Sequence, residues 1–244
     1  MKIQFLGTGA ISSKFLAASY LIDEHILIDC GNGIVKQILN TDNNIYNINH
    51  LFISHLHGDH ILDIPFLILM RSFIELDNSL VIYGPKKLKQ TVFDIVKSVY
   101  EDIGDNWPSY EEKAHVRYEI FEESGVYHFD KYQMEYLTVD HGDSKDCYGF
   151  ILKDDNSSIG FSGDAKYDDN IETIINQSSH AILDTSFMSA NHSHMGADTI
   201  IELSKKHQDK ILIPTHMNDD VRAYLKKLNV NNIKIYDDLN ILEI

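Results

Sequence analysis

A six-residue segment of this chain holds three imidazoles and one carboxylate. His55 and His57 lie two residues apart, so their side chains leave an extended backbone on the same side. Gly58 lets the chain turn, and Asp59 and His60 follow it as a second pair of ligand-type residues. Neutral imidazole and carboxylate suit zinc, and they also accept manganese or iron. The segment therefore predicts a strand end and a turn that hold two metal ions side by side.

An apolar run at residues 51–53 precedes these histidines and predicts a buried strand that ends at them. A solvated histidine-rich loop is the alternative, but the fixed His-x-His-x-Asp-His order at a strand end favours ligands. The segment resembles the metal signature of the metallo-β-lactamase superfamily. Flanking segments resemble its ribonuclease Z-like phosphodiesterase branch, namely residues 5–10, 27–33 and 82–85. The likeness extends from Met1 to about residue 225.

Three later residues complete the ligand set that the resemblance implies. Each follows a predicted apolar strand, and a lone histidine there is more often a packing residue than a ligand. The three later residues are His141, Asp164 and His216, and their order along the chain favours a role as ligands. The resemblance implies that one ion is bound by His55, His57 and His141, the other by Asp59, His60 and His216, and that Asp164 bridges the two. Two cations about 3.5–4 Å apart can share a hydroxide and stabilise both oxygens of a phosphoryl displacement. We therefore expect two divalent metal ions, with zinc as the first choice and manganese or iron as alternatives.

Asp59 and His194 are the predicted catalytic residues, Asp59 being a ligand as well. Residues 194–197 resemble the family's H-x-T/S-A motif, whose histidine approaches the scissile phosphate and can donate a proton. Gly196 stands where Thr or Ser is usual. Packing at a helix start is the alternative role for His194, and it is the preferred role for His192. The other histidines lack ligand context and are predicted to be structural: His25, His50, His115, His128, His180 and His207.

The segment between His141 and Asp164 bears on the substrate. Ribonuclease Z enzymes that process tRNA carry a long arm there, whereas this chain has only residues 142–163. The net charge of −16 also repels a long polyanion. We therefore expect a small phosphodiester, such as a cyclic nucleotide, and no long nucleic acid. The alternatives are an ester, thioester or lactone hydrolase, a tRNA 3′-processing ribonuclease, and a metal-dependent binding protein.

Length and composition place limits on the class of protein. With 244 residues and 43% hydrophobic content, the chain can bury a large core, and we expect residues 1–244 to form a single metallo-β-lactamase-like hydrolase domain. The sequence contains no apolar run of about 18 residues, so we expect no membrane-spanning helix. The first residues lack the pattern of a secretory signal. Two cysteines are too few for a disulfide framework, which fits a reducing cytoplasm. A homodimer is left open.

The order of predicted elements indicates an α/β fold. Apolar runs bounded by turn residues predict strands at 3–6, 19–22, 26–29, 51–54, 80–83, 116–121, 126–129, 133–140, 148–152, 158–162, 181–183 and 211–213. Helices are predicted at 34–40, from Pro85 through Val99, at 169–177, at 197–206 and at 220–228. Residues 100–115 are predicted to be a loop that serves as a lid or a dimer contact. This pattern agrees with the αββα sandwich of two mixed β-sheets that the resemblance implies.

Overall fold

The computed structural model describes residues 1–244 and contains thirteen strands and nine α-helices. The strands are Lys2–Gly7 (β1), Ser19–Ile22 (β2), Ile26–Ile28 (β3), His50–Phe52 (β4), Leu80–Gly84 (β5), Val116–Ile120 (β6), Ser124–Phe129 (β7), Tyr132–Thr138 (β8), Tyr148–Lys153 (β9), Ser158–Phe161 (β10), His180–Asp184 (β11), Ile211–Thr215 (β12) and Ile241–Glu243 (β13). The helices are Ile34–Leu39 (α1), Gly58–Ile61 (α2), Ile64–Ser72 (α3), Leu88–Val99 (α4), Glu101–Asp105 (α5), Trp107–Lys113 (α6), Asp169–Gln177 (α7), Ala197–Lys206 (α8) and Asp219–Leu225 (α9). None of these helices combines the length and apolar character needed to cross a bilayer.

The strands form two mixed sheets. The first has seven strands in the order β13-β1-β2-β3-β4-β5-β6, and the second has six in the order β12-β11-β10-β9-β8-β7. Neighbours from β3 to β6 are parallel, and the remaining pairs of the first sheet are antiparallel. In the second sheet β10, β11 and β12 are parallel, whereas β7 to β10 alternate in direction. The predicted pair of mixed sheets is therefore confirmed.

Aromatic side chains fill the space between the two sheets. Side chains alternate in direction along a strand, so one face of each strand supplies this layer. In β8 the residues Tyr132, Met134 and Tyr136 belong to it. From the first sheet, Phe52 of β4 and Tyr83 of β5 join it, with their rings stacked at 4.2 Å between centroids. The shared core holds the sheets face to face.

Helices cover the outer face of each sheet. In β5, Leu80 and Ile82 pack outward into a cluster with residues of α1, α3, α4 and α6, while Tyr83 points inward. On the second sheet, α7 and α8 bury apolar stripes that include Ile174 and Ile200. The resulting order of helix, sheet, sheet and helix confirms the αββα sandwich.

The strands that precede the predicted ligands end at one edge of the sandwich. In the first sheet, β4 ends at Phe52, just before the segment with four predicted ligands. In the second sheet, β8 and β10 share a direction because both are antiparallel to β9, and β12 runs parallel to β10 through β11. Their carboxyl ends precede His141, Asp164 and His216. Sheet topology thus gathers residues that are far apart in sequence.

Residues 100–115 form two short helices, α5 and α6, so the predicted loop is wrong. Trp107 begins α6 with its side chain buried, and its Nε1 donates to Glu111 Oε1 at 3.0 Å. Pro108 lies in the first helical turn, where its missing N–H is not needed. Proline and tryptophan among acidic residues are typical of loops, but here burial of the Trp107 indole stabilises the helix α6.

Three further helices and one strand differ from the sequence-based assignment. The helix α4 begins at Leu88 rather than at Pro85, because residues 85–87 form a turn. The helices α2 and α3 and the strand β13 were not predicted. In α3 nearly every residue between Ile64 and Leu69 is apolar, so no amphipathic period marks the helix.

Candidate metal centre

The seven predicted ligands lie together at the shared edge of the two sheets. Ligand atoms lie within 4.8 Å of one another in each of two groups, His55 with His57, His141 and Asp164, and Asp59 with His60 and His216. Asp164 Oδ2 lies 3.9 Å from His55 Nε2 in the first group and 3.3 Å from His216 Nε2 in the second. Two adjacent groups that share one carboxylate have the layout of a two-metal site.

Each histidine of the two groups has one ring nitrogen occupied by an outer partner. The pairs are His55 Nδ1 with Ser54 Oγ (3.0 Å), His57 Nε2 with Ser144 Oγ (3.1 Å), His60 Nδ1 with Asp29 Oδ2 (2.8 Å), His141 Nδ1 with Ser193 O (2.8 Å) and His216 Nδ1 with Ser186 Oγ (2.8 Å). Such partners fix ring orientation and tautomer in metal sites. They leave Nδ1 of His57 and Nε2 of the other four rings available to bind an ion.

Two of these free nitrogens are buried without any partner in the protein. His55 Nε2 and His60 Nε2 make no hydrogen bond, although both side chains are almost completely buried. A buried polar atom left unpaired costs free energy, so native proteins nearly always satisfy it. Both nitrogens lie within 4 Å of Asp164 Oδ2. The residues present therefore fit divalent cations, which these nitrogens and the carboxylate would bind.

Asp29 connects the end of β3 to the His-x-His-x-Asp-His segment through hydrogen bonds of its side chain. It follows β3 with φ of 55°, a left-handed conformation that costs a non-glycine residue about 1–3 kcal/mol. Its Oδ1 accepts from Ser54 N at 2.8 Å, and its Oδ2 accepts from His60 Nδ1. Gly31 lies so near that a Cβ there would be 1.7 Å from Asp59 O. This close, strained turn places one carboxylate where it orients the ligand segment.

Carboxylates set the charge of the cluster. Burial alone would lower the pKa of the His216 imidazole, but Asp164 and Asp184 outweigh it and raise that pKa to about 10. Burial also opposes ionisation of Asp164, yet His216 and His60 hold the pKa of its carboxyl well below the usual range. For His55, burial and then the neighbouring His60 lower the pKa well below its ordinary value. Ionised Asp164 and uncharged His55 are favoured and suit a cation, whereas His216 would have to release its proton to bind one.

His194 lies beside the cluster with one nitrogen fixed. Its Nδ1 donates to Asp184 Oδ2 at 2.7 Å, and Asp184 is fully buried. Its ring stacks on His216 with 5.7 Å between centroids and lies 4.7 Å from the ring of His141. Burial opposes protonation, but the hydrogen bond and charge of Asp184 outweigh it and raise the pKa of His194. Nε2 remains free for a proton transfer.

His192 does not join the ligand groups. It packs over Gly142, where an added Cβ would lie 3.0 Å from His192 Cδ2.

The glycine at position 196, where the family motif has Thr or Ser, has a steric cause. A Cβ on Gly196 would lie 2.5 Å from Ala190 N, so the close approach of residues 189–190 excludes a larger residue.

A family model described as Anti-Pycsar protein Apyc1 matches residues 1–233. The chain belongs to this family. Ribonuclease Z of Methanococcus aeolicus is 36% identical over 159 residues, which are 63% of this chain and 47% of that protein. Ribonuclease Z of Methanocaldococcus jannaschii is 34% identical over 161 residues, which are 63% of this chain and 48% of that protein. The chain is a ribonuclease Z-like member of the metallo-β-lactamase superfamily, and it spans about half the length of these curated relatives.

Solved structures agree with the fold. Human tRNase Z, short form, superposes with a TM-score of 0.77 at 18% identity and covers 100% of this chain and 99% of its own. The metallo-β-lactamase fold protein YhfI from Bacillus subtilis gives 0.77 at 19% identity, with 99% of both chains covered. A diphosphatase from the PhnP family gives 0.76 at 20% identity, covering 100% of this chain and 97% of its own. These likenesses establish the metallo-β-lactamase fold of this Anti-Pycsar protein Apyc1 family member.

The sequence-based prediction did not find the residues that orient the ligands. For the proposed ligands they are Asp29, Ser54, Ser144, Ser186 and the carbonyl of Ser193, and for His194 it is Asp184. Asp29 and Asp184 each carry the same signal as Asp164, a single carboxylate at the end of an apolar strand. All three carboxylates are buried, so only their contacts separate an orienting role from a ligand role. Asp29 and Asp184 accept from ring Nδ1 atoms, whereas Asp164 Oδ2 lies near ring Nε2 atoms that have no other partner.

The six histidines without ligand context lie outside both ligand groups. His25 Nδ1 is hydrogen-bonded to Asp23 O at 2.7 Å, and His207 Nε2 to Glu172 Oε2 at 3.1 Å. Such contacts are those of ordinary structural histidines, so these residues supply matched controls for the cluster.

Proposed function

We propose that this chain is a phosphodiesterase that uses two divalent ions, zinc in the first instance, to hydrolyse small phosphodiesters such as cyclic nucleotides. The observation that carries the proposal is the position of His194. Its ring contacts two proposed ligands, and its Nδ1 is fixed by Asp184. A metal cluster with an oriented acid at its side is the arrangement that phosphoryl transfer to water requires.

The proposed roles divide between holding ions and moving protons. Two bound ions would supply Lewis acidity and make water a nucleophile at neutral pH. Asp59 Oδ2 lies 3.4 Å from His216 Nε2, which leaves Asp59 Oδ1 to orient the attacking water. His194 donates a proton from Nε2 to the leaving oxygen, because the hydrogen bond to Asp184 aligns its imidazole and favours the protonated form. Loss of such an acid lowers the rate by about 10²–10⁴-fold.

Small substrates are favoured over tRNA by the segment between His141 and Asp164. Residues 142–163 hold β9 and β10, joined by a tight turn in which Asp154 Oδ1 accepts from Ser157 N at 2.8 Å. A net charge of −16 offers no long-range attraction to a polyanion. Relatives named ribonuclease Z support the second candidate, tRNA 3′-processing.

A substrate panel tests the proposal. Zinc- and manganese-loaded protein is assayed with bis(p-nitrophenyl) phosphate, cyclic nucleotides, pre-tRNA, nitrocefin and a thioester. We expect turnover of the phosphodiesters, loss of turnover in Asp164→Ala, and near-normal rates in the control His25→Ala. Efficient, position-specific cleavage of pre-tRNA would favour the second candidate instead. Turnover confined to nitrocefin or the thioester would contradict the phosphodiesterase proposal.

A further inference from the structure

Phe187 is an exposed aromatic residue in contact with the proposed proton donor. Its side chain is 40% exposed, and its ring centroid lies 5.6 Å from that of His194 at an interplanar angle of 66°. The next residue, Met188, is 39% exposed. Single exposed apolar residues are common on protein surfaces. This pair is distinctive because it borders a cluster of metal-ligand side chains.

The backbone that carries Phe187 is held in place on both sides. Phe187 O accepts from Ala197 N at 2.9 Å, and Met188 O accepts from Asp198 N at 3.2 Å. Just before it, Ser186 Oγ is hydrogen-bonded to His216 Nδ1. The aromatic ring is therefore presented from a fixed position, which reduces the entropy lost when a ligand binds.

A loop with another exposed apolar side chain is hydrogen-bonded to the segment of Phe187. Ile11 is 79% exposed on a loop whose Ala10 N donates to Met217 O at 3.2 Å. Asn218 joins this loop to the segment of Phe187. Its Oδ1 accepts from Ser12 Oγ, and its Nδ2 donates to Ser186 O at 2.9 Å. Asn218 thus holds the loop of Ile11 next to the segment that carries Phe187.

We propose that Phe187 is a specificity-determining residue that binds a planar aromatic group on the leaving side of the ester. The inference rests on the proposed function, because the proton donor His194 marks the leaving side and Phe187 packs against His194. Aromatic rings stack on flat π-faces with useful affinity and without demanding one pattern of hydrogen bonds. In a chain of net charge −16, bound ions would attract the phosphate, and apolar contacts with Phe187 would select its neutral substituent.

Binding of two phosphonates tests the inference without requiring turnover. Methylphosphonate and phenylphosphonate carry the same charged group, but only the second has a planar substituent. Calorimetric titration of zinc-loaded wild type should give about tenfold tighter binding of phenylphosphonate. Phe187→Ala should remove that preference and leave methylphosphonate affinity within about twofold, while Phe187→Tyr should retain it. Phe73→Ala is the matched control, since Phe73 is 71% exposed at the end of α3.

The outcomes separate the inference from the proposed function. No phenyl preference in wild type, an unchanged preference in Phe187→Ala, or an equal loss in Phe73→Ala would each overturn the inference. A preference that depends on Phe187 in a protein that hydrolyses no phosphodiester would keep the aromatic subsite and overturn the phosphodiesterase. With turnover present, Phe187→Ala should raise KM for bis(p-nitrophenyl) phosphate about tenfold at constant kcat.

Discussion

Asp184→Asn should disable the proposed proton donor His194 while leaving the proposed metal ligands in place. Asp184 is fully buried, and its Oδ2 accepts from His194 Nδ1 at 2.7 Å and from Ala165 N at 3.0 Å. Its Oδ1 accepts from Ser186 N and Oγ. An asparagine can keep the Oδ1 bonds with its carbonyl oxygen. Its NH₂ group would then face two N–H donors, so His194 must change tautomer and Ala165 N loses its acceptor.

The size of the effect follows from those contacts. Loss of an oriented general acid costs about 10²–10⁴-fold in rate, which is about 3–5.5 kcal/mol of barrier. The unsatisfied Ala165 N–H should lower the free energy of unfolding by about 1–3 kcal/mol. Metal affinity should fall by at most about 10–100-fold, because His216 keeps its direct partner Ser186.

The assay compares two leaving groups at saturating metal. A 3′,5′-cyclic nucleotide releases an alkoxide that needs a proton, whereas p-nitrophenolate leaves without one. We expect the full loss of kcat with the cyclic nucleotide and a much smaller loss with bis(p-nitrophenyl) phosphate. Asp154→Asn is the control, since Asp154 accepts from Asn156 N, Ser157 N and Ser157 Oγ in the β9–β10 turn. Equal losses with both leaving groups, or wild-type kcat in Asp184→Asn, would refute the proton-donor role.

Three other predictions concern the ligands, the proton donor and a surface carboxylate. Elemental analysis of metal-loaded protein should approach two metal equivalents per chain, and one equivalent at saturation would contradict the two-metal centre. Asp164→Ala should weaken binding of both ions and abolish hydrolysis, whereas His25→Ala should change neither metal content nor rate. His194→Ala should lower kcat on alkoxide-leaving esters by about 10²–10⁴-fold with unchanged metal content, and a parallel loss of metal would show a ligand instead. Burial opposes ionisation of Glu172, but hydrogen bonds from Lys206, Tyr167 and His207 lower the pKa of its carboxyl to about 2. The contribution of Glu172 to the free energy of unfolding is therefore present above its unfolded pKa of about 4.5 and is lost as the pH falls toward 2. Glu172→Gln should therefore destabilise the metal-free protein by at most about 1 kcal/mol at pH 7 and by less at pH 3, because Glu172 lies near the surface, and a pH-independent difference in urea unfolding would contradict this.

The sequence by itself determined the superfamily, the layered fold and the set of residues that the structure brings together. Those features are local, since each ligand follows an apolar strand and the His-x-His-x-Asp-His order lies in one segment. Strand ends are marked by alternation and turn residues, both of which short-range sequence patterns record. The helices α7 and α8 were predicted at their observed bounds for the same reason, because each has a clear amphipathic stripe.

Only the tertiary structure decided which groups orient those residues and which contacts surround them. Asp29 and His60 are 31 residues apart, and Ser186 and His216 are 30 apart, so no local pattern joins them. The helix α6 depends on burying Trp107, which requires the neighbouring α3 to be in place. Local sequence patterns indicate whether a residue lies in a helix, a strand or a turn. The hydrogen-bond partners that a side chain finds elsewhere in the sandwich depend on how the two sheets pack against each other.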